Sequence, residues 1–233
     1  MSADQLDLAS LVSDFCSALK RVDDTRPVWH NARTGAAFLP GIGPHPETEA
    51  VRRIVEDLRR SAQHAAWTSA AVGVPYPSAP RQKCDLVLGE PPQWAVEVKL
   101  FRLLGDNGKL NDNMLMHVLS PYPAHRSALT DVKKLASSGF ECRLAVLVYA
   151  FDYDDWPAEP ALEAFALLAR QDSVLSSREE AAFEGLVHPV QRRGKVCAWE
   201  LKPRELTAPT RPRCRGRRSE LGGAAPSQAG CPS

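Results

Sequence analysis

The sequence predicts an α/β protein in which helices cover both faces of a mixed central sheet of four or more strands, a three-layer α/β/α sandwich. Segments with the apolar period of a helix stand on both sides of a block of short strands at about 68–102. Residues 142–151 then form an apolar run interrupted only by Arg143, as expected of a strand covered on both faces. The chain has 233 residues, so we expect one such domain with tails.

The N-terminal segment is predicted to be an amphipathic helix over 4–20. Its apolar side chains fall on one face: Leu8, Leu11, Val12, Phe15 and Leu19. We therefore assign 1–26 to a helix that packs on the core, and 27–206 to the α/β/α domain. Residues 207–233 are rich in Pro, Gly, Ser and Arg, and we expect a disordered basic tail there.

A second helix is predicted over 46–62, because Pro46 suits the first turn of a helix. Its apolar stripe consists of Val51, Ile54, Val55 and Leu58. Three strands follow, one beginning at Thr68, one over 83–88 and one over 93–102.

The next predicted element is a helix over 122–137, which Gly139 ends. It leads into the apolar strand described above. A short helix is expected over 162–170. The segments 181–190 and 195–201 are weaker, and we interpret them as a helix end and one or two edge strands.

Composition excludes several classes of protein. The N-terminus lacks the basic start and apolar run of a signal peptide, and the longest apolar run is too short to span a bilayer. None of the six cysteines forms a Cys-x-x-Cys pair, so no zinc ribbon or redox motif is indicated. We expect a cytoplasmic protein without a membrane partner. A net charge of +1 argues neither for nor against nucleic acid as a partner.

The most informative residues are Asp85, Glu97 and Lys99. Side chains alternate along a strand, so Glu97 and Lys99 share one face of the segment 94–101. The opposite face is apolar, with Trp94, Val96, Val98 and Leu100. Burying an acid and an amine on such a strand is costly unless they pair with each other or bind a metal. The pattern therefore predicts a chemical site or a buried ion pair.

Over 46–152 the sequence resembles the PD-(D/E)XK, or restriction-endonuclease-like, nuclease superfamily. The matching motif is Asp85 on one strand and Glu97-Val98-Lys99 on the next, with Cys84 where the family usually has proline. The resemblance implies that Asp85, Glu97 and the backbone carbonyl of Val98 hold Mg²⁺ or Mn²⁺. It also implies that Lys99 orients the attacking water or stabilises the charge of the transition state, which is chemistry that phosphodiester hydrolysis requires.

The family often adds a glutamate from the first core helix, and Glu47, Glu49 and Glu56 are the candidates here. At about 100° per residue, Glu47 lies in line with Val51 and Ile54 and faces the sheet, whereas the other two face away. We therefore choose Glu47 as a catalytic residue. The alternative is that Glu47 merely favours the positive end of its helix.

The third predicted helix places Arg126, Thr130 and either Lys133 or Lys134 along one stripe. Arg126 and Lys133 are our candidates for contacts with nucleic-acid phosphates. The alternative is a solvated charged face, which is the commoner meaning of such a stripe.

Together these expectations describe a Mg²⁺- or Mn²⁺-dependent nuclease, an endonuclease-type hydrolase with DNA as the favoured partner, and they leave a homodimer open. One rival is an inactive binding module of the same fold for a protein or nucleic-acid partner, with Glu97 and Lys99 as a structural ion pair. Another is an unrelated α/β enzyme, although the sequence has no Gly-rich phosphate loop, Gly-x-Ser-x-Gly or His-Glu-x-x-His motif.

Overall fold

The computed structural model describes residues 5–61, 63–111 and 114–202. This part of the chain forms an open, mixed sheet of seven strands with helices around it. In chain order the elements are α1 (Leu8–Asp24), α2 (Glu47–Ser61), α3 (Ala65–Thr68), β1 (Ala71–Tyr76), β2 (Ala79–Leu88), β3 (Trp94–Phe101), α4 (Met116–Leu119), a 3₁₀ turn (Pro123–His125), α5 (Ala128–Ala136), β4 (Arg143–Phe151), α6 (Glu159–Ala169), β5 (Val174–Leu175), β6 (Glu179–Phe183) and β7 (Gly194–Lys202).

The sheet combines an antiparallel meander with one parallel pair. Its order is β1-β2-β3-β4-β7-β5, and β6 also pairs with β7. Strands β1, β2 and β3 are antiparallel, whereas β3 and β4 run parallel from the pair Trp94–Arg143 to the pair Phe101–Ala150. A parallel pair needs a long crossover, and the segment that contains α4 and α5 provides it. This crossover brings α5 over the β3 face that carries Glu97 and Lys99.

Two apolar clusters lie on opposite faces of the sheet. Helices α1 and α2 lie on the sheet face where β3 presents Trp94, Val96, Val98 and Leu100; α2 packs over β3, whereas α1 packs over β6 and β7. Helices α5 and α6 pack on the other face, where Ala95 and Phe101 lie. The α/β class with helices on both faces is therefore as the sequence predicts. Glu97 and Lys99 belong to the α5 face, because side chains alternate along the strand.

Helix α1 begins later than the periodicity predicts. Asp7 is its N-cap, and the Asp7 carboxylate accepts the backbone N–H of Ser10 at 2.7 Å. Such a cap favours non-helical backbone at its own position, so the helix starts at Leu8. Similarly, the strand predicted from Thr68 begins only at Ala71, since the preceding residues form the short helix α3.

The single helix predicted over 122–137 is wrong. The segment forms the 3₁₀ turn, which ends at Arg126 in left-handed backbone (φ 47°), and only then α5. Ser127 caps α5, because its hydroxyl accepts the N–H of Thr130 at 3.2 Å. Arg126 and Lys133 therefore do not lie on one helical stripe.

The interpretation of 195–201 as an edge strand is also wrong. Strand β7 is an interior strand that pairs antiparallel with β4 on one side and with β5 and β6 on the other. Its partner β4 lies about 50 residues earlier in the chain, and local pattern does not reveal such long-range pairing. The predicted tail at 207–233 lies outside the described residues. Among the described helices, none is long and apolar enough to cross a membrane.

Candidate active site

The site begins where β2 and β3 stop pairing. Their last aligned pair towards the site is Leu86–Val96. Beyond this pair β2 no longer accepts hydrogen bonds from the β3 backbone. The Asp85 carboxylate does so instead, and its Oδ2 accepts the backbone N–H of Val98 at 2.9 Å. The N–H and C=O of one strand residue point to the same side, so the Val98 carbonyl lies on the edge that Asp85 occupies.

Glu47 occupies the next position along the same edge of β3. Its Oε2 accepts the backbone N–H of Leu100 at 2.6 Å, and its Oε1 lies 3.5 Å from Nζ of Lys99. Burial raises the pKa of Glu47, although the charge of Lys99 and the Leu100 hydrogen bond oppose this effect. Position 47 is the first residue of α2, and the helix directs this carboxylate at the strand. By contrast, Glu49 pairs with Arg52 on the side turned away from the sheet (2.7 Å).

Glu97 is a buried carboxyl, only 2% exposed. The hydroxyl of Tyr76 donates a hydrogen bond to its Oε1, and Nζ of Lys134 lies 3.6 Å from the same oxygen. Burial, the charge of Asp85 and a hydrogen bond between the two carboxyl groups raise the pKa of Glu97 to about 9. At neutral pH these effects favour the protonated, uncharged form of Glu97.

Lys99 is held by three oxygen atoms. Its Nζ lies 3.0 Å from Oδ2 of Asp131 and 3.5 Å from Oε1 of Glu47, and it donates a hydrogen bond to the Arg126 carbonyl at 3.2 Å. Burial alone would lower the pKa of Lys99, but the charges of Glu47 and Asp131 outweigh it and raise the pKa above its usual value. The ammonium therefore stays charged and fixed in place.

Asp131 and Lys134 complete the cluster; the sequence interpretation missed Asp131 and chose Lys133 rather than Lys134 from the basic stripe. Asp131 is 1% exposed, and its Oδ1 lies 2.5 Å from Nζ of Lys134, one turn further along α5. Asp131 thus serves as the shared counter-ion of Lys99 and Lys134. The sequence does contain a signal for Asp131. It precedes the inward-facing Leu135 by four residues, so the two side chains lie on the same face of the helix. An acid on that apolar face needs a partner.

These residues line an open cleft of about 1260 Å³. Its floor contains Glu97, Lys99 and Asp131, which are buried, together with Asp85, which is half-buried. Exposed cationic side chains stand along its rims, namely Arg81, Lys83, Arg126 and Lys133. Acids on the floor suit a cation, and cations on the rims suit the phosphates of an extended polyanion.

Arg126 and Lys133 both reach this cleft, although not as one stripe. Arg126 is exposed and contributes its backbone carbonyl to Lys99. Lys133 is exposed on α5, with Nζ 3.4 Å from Oδ2 of Asp172. An exposed ion pair of this kind stabilises the fold little, so the Lys133 ammonium remains available to a phosphate.

The carboxylates suit a hard divalent cation. Within the described part of the chain, no three His, Cys, Asp or Glu side chains are grouped so as to hold a metal ion. Mg²⁺, however, commonly uses only one or two carboxylates, with water and substrate phosphate as its other ligands. Asp85 and Glu97 form such a pair. The charge of Asp85 helps to raise the pKa of Glu97, and a cation between the two carboxyl groups would oppose that effect.

Asp131→Asn tests whether the ion-pair cluster stabilises the fold. We expect the free energy of unfolding to fall by about 2 kcal/mol, because two lysines in a largely buried site lose their shared counter-ion. Urea denaturation would measure the change. Asp57→Asn is the matched control, since its pair with the exposed Arg21 (2.7 Å) should contribute less than about 1 kcal/mol. Equal effects of the two changes would contradict a structural role for Asp131.

Comparison with known proteins found no match: no protein-family model, no curated protein and no solved structure matches the chain.

Proposed function

We propose that the protein is a metal-dependent nuclease with a restriction-endonuclease-like fold, acting on DNA. The observation that supports this most is the convergence of Asp85, Glu97, Lys99 and Glu47 in one open cleft with cationic rims. The order α2-β1-β2-β3-α5-β4, with the acidic motif on β2 and β3, is the arrangement on which the resemblance rests.

Asp85 and Glu97 would hold the divalent cation, together with the carbonyl of Val98. When bound, such an ion polarises the phosphoryl oxygen and lowers the pKa of its water. Asp85 is already oriented by the Val98 N–H, and Glu97 by Tyr76 and Lys134. These contacts fix the carboxylates before the ion binds, which lowers the entropic cost of forming the site.

Lys99 would place a positive charge beside the scissile phosphate. Its ammonium is held by Asp131 and by the Arg126 carbonyl, so it does not need to reorganise as negative charge develops. Glu47 keeps Lys99 on the strand edge from the other side. We assign charge stabilisation to Lys99 and positioning to Glu47 and Asp131.

The rims would bind the phosphates on either side of the scissile bond. Arg81 and Lys83 lie on β2, at one wall of the cleft, whereas Arg126 and Lys133 come from the crossover between β3 and β4. Phosphate contacts position a nucleic acid without reading its sequence. The arrangement therefore supports binding along a strand rather than recognition of particular bases.

A second candidate is a binding module that lacks catalysis. One observation favours it: both site lysines already have carboxylate partners, so the ion-pair network is satisfied without a metal or a substrate. Metal binding separates the two functions, because a purely structural network has no place for a divalent cation.

The proposal is tested by incubating purified protein with plasmid, linear duplex, single-stranded and branched DNA, with Mg²⁺, Mn²⁺ or EDTA. We expect cleavage of at least one substrate with either cation and none in EDTA. Glu163→Gln, an exposed change on α6, is the control and should cleave like the parent. Cleavage that persists in EDTA, or no cleavage of any substrate with either cation, would contradict the proposal.

A further inference from the structure

An exposed aromatic ring stands beside the cleft, on the segment that precedes α5. Tyr122 is 66% exposed and lies between Pro121 and Pro123. Proline fixes its own φ and restricts the residue before it to extended backbone, and Tyr122 has that conformation, with φ −85° and ψ 126°. Its ring is therefore presented on a backbone with little freedom to lose when a ligand binds.

His125 places a second ring beside Tyr122. The two ring centroids are 5.8 Å apart and the planes meet at 75°. The hydroxyl of the buried Ser120 lies 2.6 Å from Nδ1 of His125 and accepts the backbone N–H of Tyr122 at 3.2 Å. One buried hydroxyl thus holds both aromatic residues, and His125 itself lines the cleft.

The same segment is joined to the site lysine. Arg126, next to His125, has left-handed backbone, and its carbonyl accepts the hydrogen bond from Lys99 at 3.2 Å. The aromatic pair is therefore placed relative to Lys99 by a short, hydrogen-bonded stretch of chain. A ligand that occupied the cleft at Lys99 could also reach the Tyr122 ring.

Exposed apolar side chains also occur on the segment that leads to this ring. Leu115 is 50% exposed and Met116 is 38% exposed, and they stand between Met114 and His117, which line the cleft. Apolar side chains do not bind charged phosphates, whereas the faces of nucleobases are apolar enough to stack on them. The cleft and the chain segments that flank it thus combine cationic groups for phosphates with aromatic and apolar groups for bases.

We propose that Tyr122, with His125 beside it, stacks an unpaired base, so that the cleft takes single-stranded DNA or an unpaired end in preference to an intact duplex. This inference rests on the proposed function and names its substrate class. Inside a duplex, neighbouring base pairs cover the base faces, so only an unstacked base offers a face to Tyr122. Stacking of this kind tolerates any sequence, in keeping with rims that contact phosphates.

The test is binding of fluorescent DNA to the full-length protein in EDTA, measured by anisotropy. The probes are a single strand of about 12 nucleotides and its blunt duplex. We expect tighter binding of the single strand. Tyr122→Ala should weaken single-strand binding roughly tenfold, as expected for one lost stacking contact, and leave duplex binding unchanged. Tyr122→Trp should restore the affinity.

A 2-aminopurine base in the single strand reports stacking directly. Its fluorescence should fall on binding to the parent protein and much less on binding to Tyr122→Ala. Trp156→Ala removes another exposed aromatic side chain (45% exposed) outside this cleft, and it should change neither signal.

Equal losses for single strand and duplex, or no effect of Tyr122→Ala, would overturn this inference while leaving the nuclease proposal in place. A Tyr122→Ala protein that binds DNA like the parent but cleaves it poorly would also overturn it. If the parent protein bound no DNA of either kind, the proposed function and this inference would fail together.

Discussion

Glu97→Gln is expected to lower metal-dependent cleavage on the order of a thousandfold while leaving the fold intact. The amide keeps an oxygen that can accept the Tyr76 hydroxyl, but it carries no negative charge for a cation. Initial rates on the best DNA substrate at saturating Mg²⁺ would measure the loss. A variant that cleaves at the parent rate would show that the chemistry takes place elsewhere.

The same variant should change how stability depends on pH. The pKa of Glu97 is about 9 in the folded protein, and unfolding returns it to the usual 4.5. Between these values the folded state holds a proton that the unfolded state releases, so this carboxyl makes stability fall as pH rises from about 4.5 to 9. Glu97→Gln removes that dependence. Its melting temperature should match the parent at pH 4.5 and exceed it by several degrees at pH 9.

Glu200→Gln is the control for the stability measurement. Glu200 forms a pair with Arg143 at 2.8 Å, and its pKa is lowered, chiefly by that hydrogen bond. Its replacement should therefore destabilise the protein at neutral and high pH, which is the opposite sign. If Glu97→Gln also lowered the melting temperature at pH 9, Glu97 would be an ionised member of a stabilising network rather than a protonated acid.

Lys99→Met should lower turnover at least a hundredfold, because the ammonium that faces the developing negative charge is lost. Asp85 and Glu97 remain, so a divalent cation should still bind, and bind somewhat more tightly without the competing positive charge. Turnover and Mn²⁺ affinity would be measured in parallel, the second by calorimetry. Methionine keeps a flexible apolar stem, which limits the change in packing.

Lys20→Met, an exposed change on α1, controls for the loss of one positive charge and should alter neither quantity. Loss of metal affinity together with turnover would mean that Lys99 only holds the acids in place. Lys99 does contact Asp131 and Glu47, so a purely structural role is a genuine alternative that this measurement tests. Unchanged turnover would mean that the Glu-Val-Lys match is a coincidence of strand composition.

Local periodicity was sufficient for the parts of the site that lie on regular elements. The alternation of 94–101 separates Glu97 and Lys99 from the apolar face of β3, because a strand has a period of two whatever its partners are. The helical phase of α2 likewise directs Glu47 at the sheet, where it meets the Leu100 N–H. Neither conclusion requires knowledge of the tertiary structure.

The other parts of the site and of the sheet depend on how elements distant in the chain pack together. A local sequence pattern holds no information about that packing. Asp131 and Lys134 join the site only because α5 starts after the left-handed Arg126 and crosses β3. Tyr76 reaches Glu97 from the end of β1, just past an irregularity in its pairing with β2. The interior position of β7 follows from pairing with β4 across a long stretch of chain.

Whether these carboxylates hold a metal is measured most directly by a calorimetric titration of the parent protein with Mn²⁺ at pH 7, beside the Asp85→Asn/Glu97→Gln double variant. We predict about one ion per chain for the parent, with release of about one proton, because Glu97 must ionise to become a ligand. The proton count comes from repeating the titration in buffers of different ionisation enthalpy. The double variant should bind no ion while keeping its fold. A folded parent that binds no Mn²⁺, or a double variant that binds it equally well, would contradict the claim that these carboxylates form a metal-dependent active site.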